Sequence, residues 1–289
     1  TLASLAKAGI LLNNYYVMPV CTPTRSAIHT GRHPIHTGMQ GGALLGQQRL
    51  GLPLGVVTLP EQLKKVGYSC YATGKWVKDS LSSCLPHPQA RAVLTVPPCC
   101  IVSQHLGFFQ RGMLPTRRGY DRFFGFLTGK EDYFSHVDAE GYQVINGTTY
   151  HDTTTGPYVG LDLYDDEVPA RNYSGVYNTE LFTEKAVGML HEHHATHPPA
   201  APFFLYLAYN AVHSANYEHP LQAPPHYVQP FLNTIQCDGL AGTLLQRCED
   251  RRVFAGMLSA VDQGVRNLTL ALGAIGWLES TLLVVTTDK

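Results

Sequence analysis

Cys21 and Arg25 lie four residues apart in a segment whose residue types suit nucleophilic chemistry. From Cys21 the chain reads Cys-Thr-Pro-Thr-Arg-Ser-Ala-Ile-His-Thr-Gly-Arg, and residues 24–32 are predicted to form a short helix. The first backbone N–H groups of a helix are unpaired and favour negative charge, and a guanidinium one turn on adds a fixed positive charge. The segment is compatible with two kinds of site. Either the cysteine is an activated thiolate, or it has been converted to another group and the site holds an anion against that group. A buried cysteine in a turn is the structural alternative.

Three further residues with chemical potential each follow a predicted strand. The strands are predicted at 68–73, 203–209 and 281–287, and the residues that follow them are Lys75, His213 and Asp288. Ligands of open α/β sheets bind outside the carboxyl ends of the strands, so a cation, an imidazole and a carboxylate are expected near one crevice. Each residue alone also has a structural interpretation: a solvent-facing lysine, a loop histidine and the N-cap of a following helix.

Helices and strands are predicted to alternate along the chain. A strand at 10–17 leads to Cys21, and helices are predicted at 58–67, 179–194 and 252–273 from caps and from the spacing of apolar residues. The continuously apolar segment 203–209 is typical of a strand that helices cover on both faces. This alternation predicts an α/β fold with a largely parallel sheet. Four histidines, His191, His193, His194 and His197, fall at a predicted helix end and are expected in solvent rather than on a metal.

Length, composition and charge set limits on the class of protein. With 289 residues and 44% hydrophobic content, the chain can bury a full core as one large domain or two smaller ones. A net charge of −1 gives no electrostatic reason to expect a nucleic acid or a membrane surface as partner. No apolar run approaches the length of about 18 residues or more that predicts a membrane span. Seven cysteines, an odd count, fit neither a small disulfide framework nor a zinc spacing.

Three N-x-Ser/Thr sequons, at Asn146, Asn172 and Asn267, favour a secretory route with glycosylation. The remaining long segment without periodicity lies at 77–104 and holds three of the seven cysteines. No helix or strand is predicted there.

The Cys-x-Pro-x-Arg pattern that begins at Cys21, followed by Thr-Gly-Arg, resembles the signature of the sulfatases. Residues 114–136, which read Leu-Pro-Thr-Arg-Arg-Gly-Tyr-Asp-Arg-Phe-Phe-Gly-Phe-Leu-Thr-Gly-Lys-Glu-Asp-Tyr-Phe-Ser-His, resemble the arylsulfatase B branch (N-acetylgalactosamine-4-sulfatase and its relatives), as do 10–16 and 220–222. The resemblance implies an alkaline-phosphatase/sulfatase-like catalytic domain. It covers most of the chain outside 77–104.

The resemblance implies a mechanism that begins at Cys21. In sulfatases this cysteine is converted in the endoplasmic reticulum, by the formylglycine-generating enzyme, to formylglycine, whose hydrated aldehyde attacks sulfur. Arg25 is expected to hold the hydrate, and Lys75 and His105 are expected to bind the sulfate oxygens. His213 is expected to contact or protonate the leaving oxygen.

One divalent ion, in this family usually Ca²⁺, is expected to be ligated by Asp288 together with the modified Cys21. The family's metal-binding Asp pair would lie upstream of Thr1, the chain has Lys289 where an Asn is expected, and a further sulfate-binding lysine would lie beyond it. Residues 1–289 are therefore expected to be an incomplete N-terminal catalytic domain. As given, the chain is expected to be inactive and to hold calcium weakly.

The segment 77–104 interrupts the order Gly-Lys-Trp-His-Leu-Gly that the resemblance predicts, because it separates Trp76 from His105. Valine codons begin with GT and the glutamine codon CAG ends with AG, so the borders of the segment fit an intron. The segment is predicted to be a foreign insertion, a retained or mis-annotated intron.

Three functions are compatible with these observations. The first is a sulfuric ester hydrolase acting on glycosaminoglycan-type sugars, in the lysosome or secreted. The second is a catalytically dead sulfatase-like protein that binds sulfated glycans. The third, a cysteine hydrolase that uses Cys21 with His213, gives no role to the Cys-x-Pro-x-Arg pattern.

Overall fold

The computed structural model of the chain describes residues 1–41, 51–76, 110–140, 142–145, 148–151, 158–216 and 218–288. The predicted insertion at 77–104, the predicted sulfate ligand His105, the sequon at Asn146 and Lys289 lie outside the described residues.

A five-stranded, mostly parallel sheet forms the centre of the molecule, in the order β8-β7-β2-β1-β9. The strands are β1 Ser69–Lys75, β2 Arg122–Phe126, β3 Val137–Glu140, β4 Tyr142–Ile145, β5 Thr148–His151, β6 Tyr158–Leu161, β7 Tyr164–Asp165, β8 Val168–Pro169 and β9 Phe203–Ala208. Strand β1 is parallel to both β2 and β9, whereas β7 and β8 add antiparallel pairs at one edge. The predicted α/β fold is therefore confirmed.

Six α-helices accompany the strands in the described part of the chain, and several have clear signals in the sequence. They are α1 Leu2–Ala8, α2 Cys21–Thr30, α3 Leu59–Lys64, α4 Asn178–Thr196, α5 Pro225–Val228 and α6 Gly242–Ala274. Thr58 and Glu61 form a capping box at the start of α3, since each side chain bonds the other's backbone N–H. The left-handed Gly31 (φ 63°) ends α2.

Both faces of the sheet are covered, because alternate strand residues enter different clusters. Cys70 and Ala72 pack on one face with Trp76, Tyr120 and Phe123. On the other face Tyr71, Phe124 and Phe126 contact α4, whose Leu181, Phe182 and Met189 are buried. This two-sided burial is what the continuous apolar run of β9 predicts.

Two segments predicted as strands are not strands. Residues 10–17 and 281–287 pair with no strand in the described ranges, and their apolar side chains face solvent: Ile10 is 90% exposed and Leu282 is 86% exposed. β-propensity reflects packing against neighbouring strands, so without a neighbour in register the apolar character alone does not produce a strand. Asp288 consequently follows an extended segment rather than a strand.

Two further expectations need correction. Helix α6 begins at Gly242, ten residues before the predicted start. Residues 243–247 are exposed and so lack the apolar spacing that marks a core-facing helix, and the first turns are held by Gln246 with Asp250 (2.9 Å) and by the Cys237–Cys248 disulfide. His193 was expected in solvent but is buried, with Nδ1 2.8 Å from Tyr71 Oη and Nε2 3.1 Å from the Ala201 carbonyl. Among the described residues, no helix has the length and apolar character needed to cross a membrane.

Candidate active site

Cys21 is the first residue of α2, and its side chain is completely buried (0% exposed). The preceding Val20 makes no side-chain cap, so the first turn of the helix presents its backbone N–H groups beside Cys21. Thr24 fastens this turn, because its Oγ1 donates to the carbonyls of Met18 and Val20, each at 3.1 Å. The start of α2 therefore provides a fixed, electropositive setting for residue 21.

Lys75 reaches Cys21 from the end of β1. Its Nζ lies 3.6 Å from Cys21 Sγ, and the lysine is itself buried. Lys75 is the last residue of the strand rather than the first residue beyond it. Two of the residues that the sequence proposes for the site, Cys21 and Lys75, therefore lie side by side.

Arg25 lies one turn beyond Cys21 and is held on three sides. Its Nη1 donates to the Lys75 carbonyl at 2.9 Å and to Tyr206 Oη at 3.0 Å. Its Nε donates to Asp288 Oδ2 at 2.8 Å, and its Nη2 lies 2.8 Å from the same oxygen. Burial acts to lower the pKa of Arg25, but electrostatic interactions with Tyr206, Asp288 and Cys21 raise it overall. Arg25 is thus a permanently charged group in a fixed position.

His29 lies one further turn along α2, and the sequence did not identify it as part of this region. Its ring is buried and contacts the rings of Tyr206 (4.7 Å between centroids), Trp76 (5.2 Å) and Tyr120 (6.2 Å). Burial, with the nearby charges of Arg25 and Arg118, lowers its pKa to about 3. His29 is therefore neutral at ordinary pH. The available signal was its spacing of four residues from Arg25, which puts both on one helix face.

Strand β1, which carries Lys75, approaches β2 and β9 so closely that backbone meets backbone. Gly74 pairs with Ala208 of β9 and with Gly125 of β2. Gly74 has φ +89°, and a Cβ there would lie 2.0 Å from the Ala208 carbonyl oxygen. A Cβ on Gly125 would lie 2.0 Å from the Gly74 carbonyl oxygen. Only glycine fits these two positions, so the three strands converge by backbone contact beside the site.

His213 lies on the loop that follows β9, at the same sheet edge as Lys75. Its backbone N–H donates to the Asn210 carbonyl (2.8 Å), and its own carbonyl accepts from Tyr133 Oη (2.8 Å). Its Nδ1 is 2.9 Å from the Ser214 carbonyl, which only accepts, so Nδ1 carries a hydrogen. The structure thus joins Cys21, Arg25, Lys75 and Asp288 directly and places His213 on the neighbouring loop.

The residues expected to bind calcium do not form a calcium site on their own. Ca²⁺ takes about six to eight oxygen ligands. Asp288 Oδ2 is engaged by Arg25, and among the described residues no group of three or more His, Cys, Asp or Glu side chains is arranged to hold a metal.

The two sequons in the described ranges lie away from this region. Asn172 is exposed on the turn Arg171–Tyr173, and Asn267 is exposed on α6. Cys237 and Cys248 form a disulfide, whereas Cys21 and Cys70 are free and buried.

As a whole the arrangement suits an anion held against residue 21. The N-terminus of α2, the Lys75 ammonium and the Arg25 guanidinium supply positive charge within one buried region. Such fixed charges stabilise negative charge that develops on oxygen during a group transfer.

Comparisons with known proteins agree with this chemistry. The family profile called Sulfatase matches residues 1–289. Arylsulfatase J of Mus musculus is 36% identical over 290 residues, which cover 100% of this chain and 38% of that protein. N-acetylgalactosamine-6-sulfatase of Mus musculus is 28% identical over 294 residues, which cover 99% of this chain and 44% of that protein.

A solved structure shares the fold. The crystal structure of Ps i-CgsB in complex with k-i-k-neocarrahexaose superposes with a TM-score of 0.58 at 24% identity, over 89% of this chain and 45% of that one. The chain spans less than half the length of each of these three proteins.

Proposed function

Since this chain belongs to the sulfatase family, we propose that it is a sulfuric ester hydrolase that acts on sulfated sugars of the glycosaminoglycan type. The observation that carries the proposal is the contact of Lys75 Nζ with Cys21 Sγ at the N-terminus of α2, beside the fixed charge of Arg25. A cysteine hydrolase would give no role to the Cys-x-Pro-x-Arg pattern, whereas the charges of Lys75 and Arg25 beside residue 21 suit the anion of a sulfate ester. We place the chain in the arylsulfatase B branch because of residues 114–136.

The proposed nucleophile derives from Cys21, oxidised to formylglycine in the endoplasmic reticulum by the formylglycine-generating enzyme. The hydrated aldehyde supplies two hydroxyls on one carbon, one to attack sulfur and one whose deprotonation lets sulfate leave. The surroundings suit this group, since the Lys75 ammonium that contacts Sγ can equally donate to an oxygen in that place.

The remaining side chains have separate proposed roles. Lys75, with His105 from outside the described residues, binds sulfate oxygens. Arg25 holds the hydroxyls at residue 21 and stabilises the charge on the sulfuryl group. His213 gives a proton from its ring to the leaving sugar oxygen as the ester bond to sulfur breaks.

Mass spectrometry of the secreted protein tests this proposal. The peptide that contains Cys21 is expected to have the lower mass that results when the CH₂–SH group becomes an aldehyde. A version extended to the full length of the sulfatase relatives is expected to release sulfate from 4-methylumbelliferyl sulfate, whereas residues 1–289 alone are expected to be inactive. A fully unmodified cysteine together with no release of sulfate by the extended version would contradict the proposal.

The alternative is a catalytically dead sulfatase-like protein that binds sulfated glycans. The engagement of Asp288 by Arg25 favours it, because the expected calcium ligand is already paired. Under this alternative the protein as given binds chondroitin sulfate without releasing sulfate. Delivery through the endoplasmic reticulum to the lysosome or the cell exterior, with glycans at the exposed Asn172 and Asn267, is proposed under both functions.

A further inference from the structure

We propose that Tyr133 is a positioning residue that holds His213 in place through its hydroxyl, and that the segment 130–136 fixes the loop 210–214 for this purpose. The inference rests on the role proposed above for His213. The inference assigns a function to the segment 130–136, which lies within the residues that resemble the arylsulfatase B branch.

The loop that carries His213 is tied to the segment 130–136 at both of its ends. At its start the buried Asn210 donates from Nδ2 to the Glu131 carbonyl at 3.0 Å. At its end the His213 carbonyl accepts from Tyr133 Oη at 2.8 Å. Between these ties the His213 N–H donates to the Asn210 carbonyl at 2.8 Å, which closes the turn. The segment 130–136 therefore holds the His213 loop at its start and at its end.

Tyr133 is well suited to hold a partner because it is itself fixed. Its side chain is completely buried, and its ring stacks on that of Tyr177 with 5.5 Å between the centroids. Burial raises its pKa well above the ordinary value, so the hydroxyl keeps its proton and donates it. Its backbone N–H donates to Gln222 Oε1 at 3.2 Å.

Asp132 completes the support from the other side of the loop. Its Oδ1 accepts from the N–H groups of Phe134 and Ser135, which fixes the turn at 132–135. Its Oδ2 accepts from Asn216 Nδ2 at 2.8 Å and from Gln222 Nε2 at 2.6 Å, both beyond His213 in the chain. The segment 130–136 thus holds residues on both sides of His213.

Such support matters for proton transfer to a leaving oxygen. A general acid must lie within about 2.6–3.2 Å of the oxygen that it protonates, and misplacement by about 1 Å can cost on the order of 100-fold in rate. The ring of His213 is already held against the adjacent backbone, because its Nδ1 bonds the Ser214 carbonyl. The position of its backbone, which Tyr133 fixes, therefore sets the position of Nε2.

Tyr133→Phe is the test, with Tyr177→Phe as the matched control. Both variants remove one hydroxyl from the same aromatic stack, but the hydroxyl of Tyr177 donates to the Gln222 carbonyl (3.1 Å) and not to the His213 loop. In hydrogen-exchange mass spectrometry, Tyr133→Phe is expected to raise the exchange rate of peptide 209–216 on the order of tenfold, because a buried acceptor loses its donor. Tyr177→Phe is expected to leave that peptide unchanged.

Hydrolysis of aryl sulfates with different leaving groups adds a readout that a loss of stability would not change. Tyr133→Phe is expected to lower kcat on the order of 10- to 100-fold for phenyl sulfate and much less for 4-nitrophenyl sulfate, whose leaving group needs little protonation. Equal exchange and equal leaving-group dependence in the two tyrosine variants would overturn the inference.

The two arms separate this inference from the proposed function. If the wild-type protein, extended to the full length of its relatives, hydrolyses no sulfate ester, the proposed function fails while the exchange experiment still decides whether Tyr133 holds the loop. If Tyr133→Phe does not fold, Asn210→Ala removes the other tie and is expected to raise exchange in the same peptide. An unchanged exchange rate in Asn210→Ala would then overturn the inference.

Discussion

Arg25 connects distant parts of the chain at the candidate site. It joins the carbonyl of Lys75, the hydroxyl of Tyr206 and the carboxylate of Asp288, which come from three distant parts of the chain. A guanidinium is always charged and presents donors in fixed directions, so it orders these groups as well as supplying charge.

In a version extended to the full length of the sulfatase relatives, Cys21→Ala is expected to abolish sulfate release, and Cys21→Ser is expected to do the same. Neither side chain can supply two hydroxyls on one carbon, so sulfate transferred to serine would have no route of departure. Turnover of 4-methylumbelliferyl sulfate by each variant is the measurement. Normal turnover by the alanine variant would exclude the proposed mechanism.

Arg25→Ala is expected to lower kcat on the order of 100- to 1,000-fold, the usual effect of removing one donor that stabilises developing charge. Arg171→Ala serves as the control, because Arg171 is exposed on a surface turn. The measurement is kcat for the two variants, corrected for the fraction of each protein that is folded. Equal rates would show that Arg25 has a purely structural role.

His29 gives the folded protein a pH dependence with a definite sign. Its pKa is about 3 in the folded state, against about 6.5 when unfolded. The unfolded chain therefore takes up a proton first, and the stability that His29 contributes above pH 6.5 is lost as the pH falls towards 3.

His29→Phe keeps the ring contacts without the titration. The loss of unfolding free energy between pH 7 and pH 4.5 is expected to be smaller in this variant than in the wild type by on the order of 2–3 kcal/mol. Urea unfolding at the two pH values measures the difference. Other groups that titrate in this range, such as Glu131 and His136, are present in both proteins and cancel. Identical losses would show that His29 is not the buried neutral base described here.

At the scale of elements, the site depends on how closely β2, β1 and β9 approach one another. The two glycines at this point allow backbone to meet backbone, and the loops that leave the strands then start from fixed positions.

Gly74→Ala is expected to lower the unfolding free energy by about 3 kcal/mol or more, because the new Cβ overlaps the Ala208 carbonyl and φ is positive. Gly188→Ala, on the exposed face of α4 with open space around it, is expected to raise it by about 0.5–1 kcal/mol. Thermal unfolding of both variants provides the comparison. A Gly74→Ala protein as stable as the wild type would contradict the close approach.

The sequence predicted elements well where local chemistry determines them. The capping box at Thr58 and the apolar run of β9 are such cases, and both elements were found where expected. The strands predicted at 10–17 and 281–287 were wrong, because a strand also needs a neighbouring strand in register.

The candidate site shows the same division. Cys21, Arg25 and Lys75 were predicted from spacing and from the end of a strand. Tyr206 was missed since it lies inside an apolar strand run, where a tyrosine gives no sign of which group its hydroxyl will meet. Tyr133 was missed as a support of His213 because contacts between two loops depend on tertiary packing that no local pattern encodes.

At the scale of the whole molecule, the metal site is where family expectation and structure differ most. Asp288, the carboxylate expected to hold the ion, is paired with Arg25. A cation with few oxygen ligands is held weakly.

Calorimetric titration of this chain with CaCl₂ is therefore expected to show no binding tighter than the millimolar range, which is typical of weak calcium sites at about 10⁻⁴–10⁻³ M. Asp288→Asn is expected to leave the heat of titration unchanged. Micromolar binding by the wild-type chain that is lost in Asp288→Asn would contradict the assignment of Asp288 to Arg25.

The contact between Arg25 and Asp288 also has a consequence for the time course of synthesis, because 263 residues separate the two. At roughly 5–20 residues per second, a ribosome needs about 13 to 53 s to add the partner of Arg25 after Arg25 itself. Throughout that interval the buried environment of Cys21 cannot be complete. The enzyme that we propose to modify Cys21 can therefore reach its sulfur on the growing chain, before the partner of Arg25 has been added.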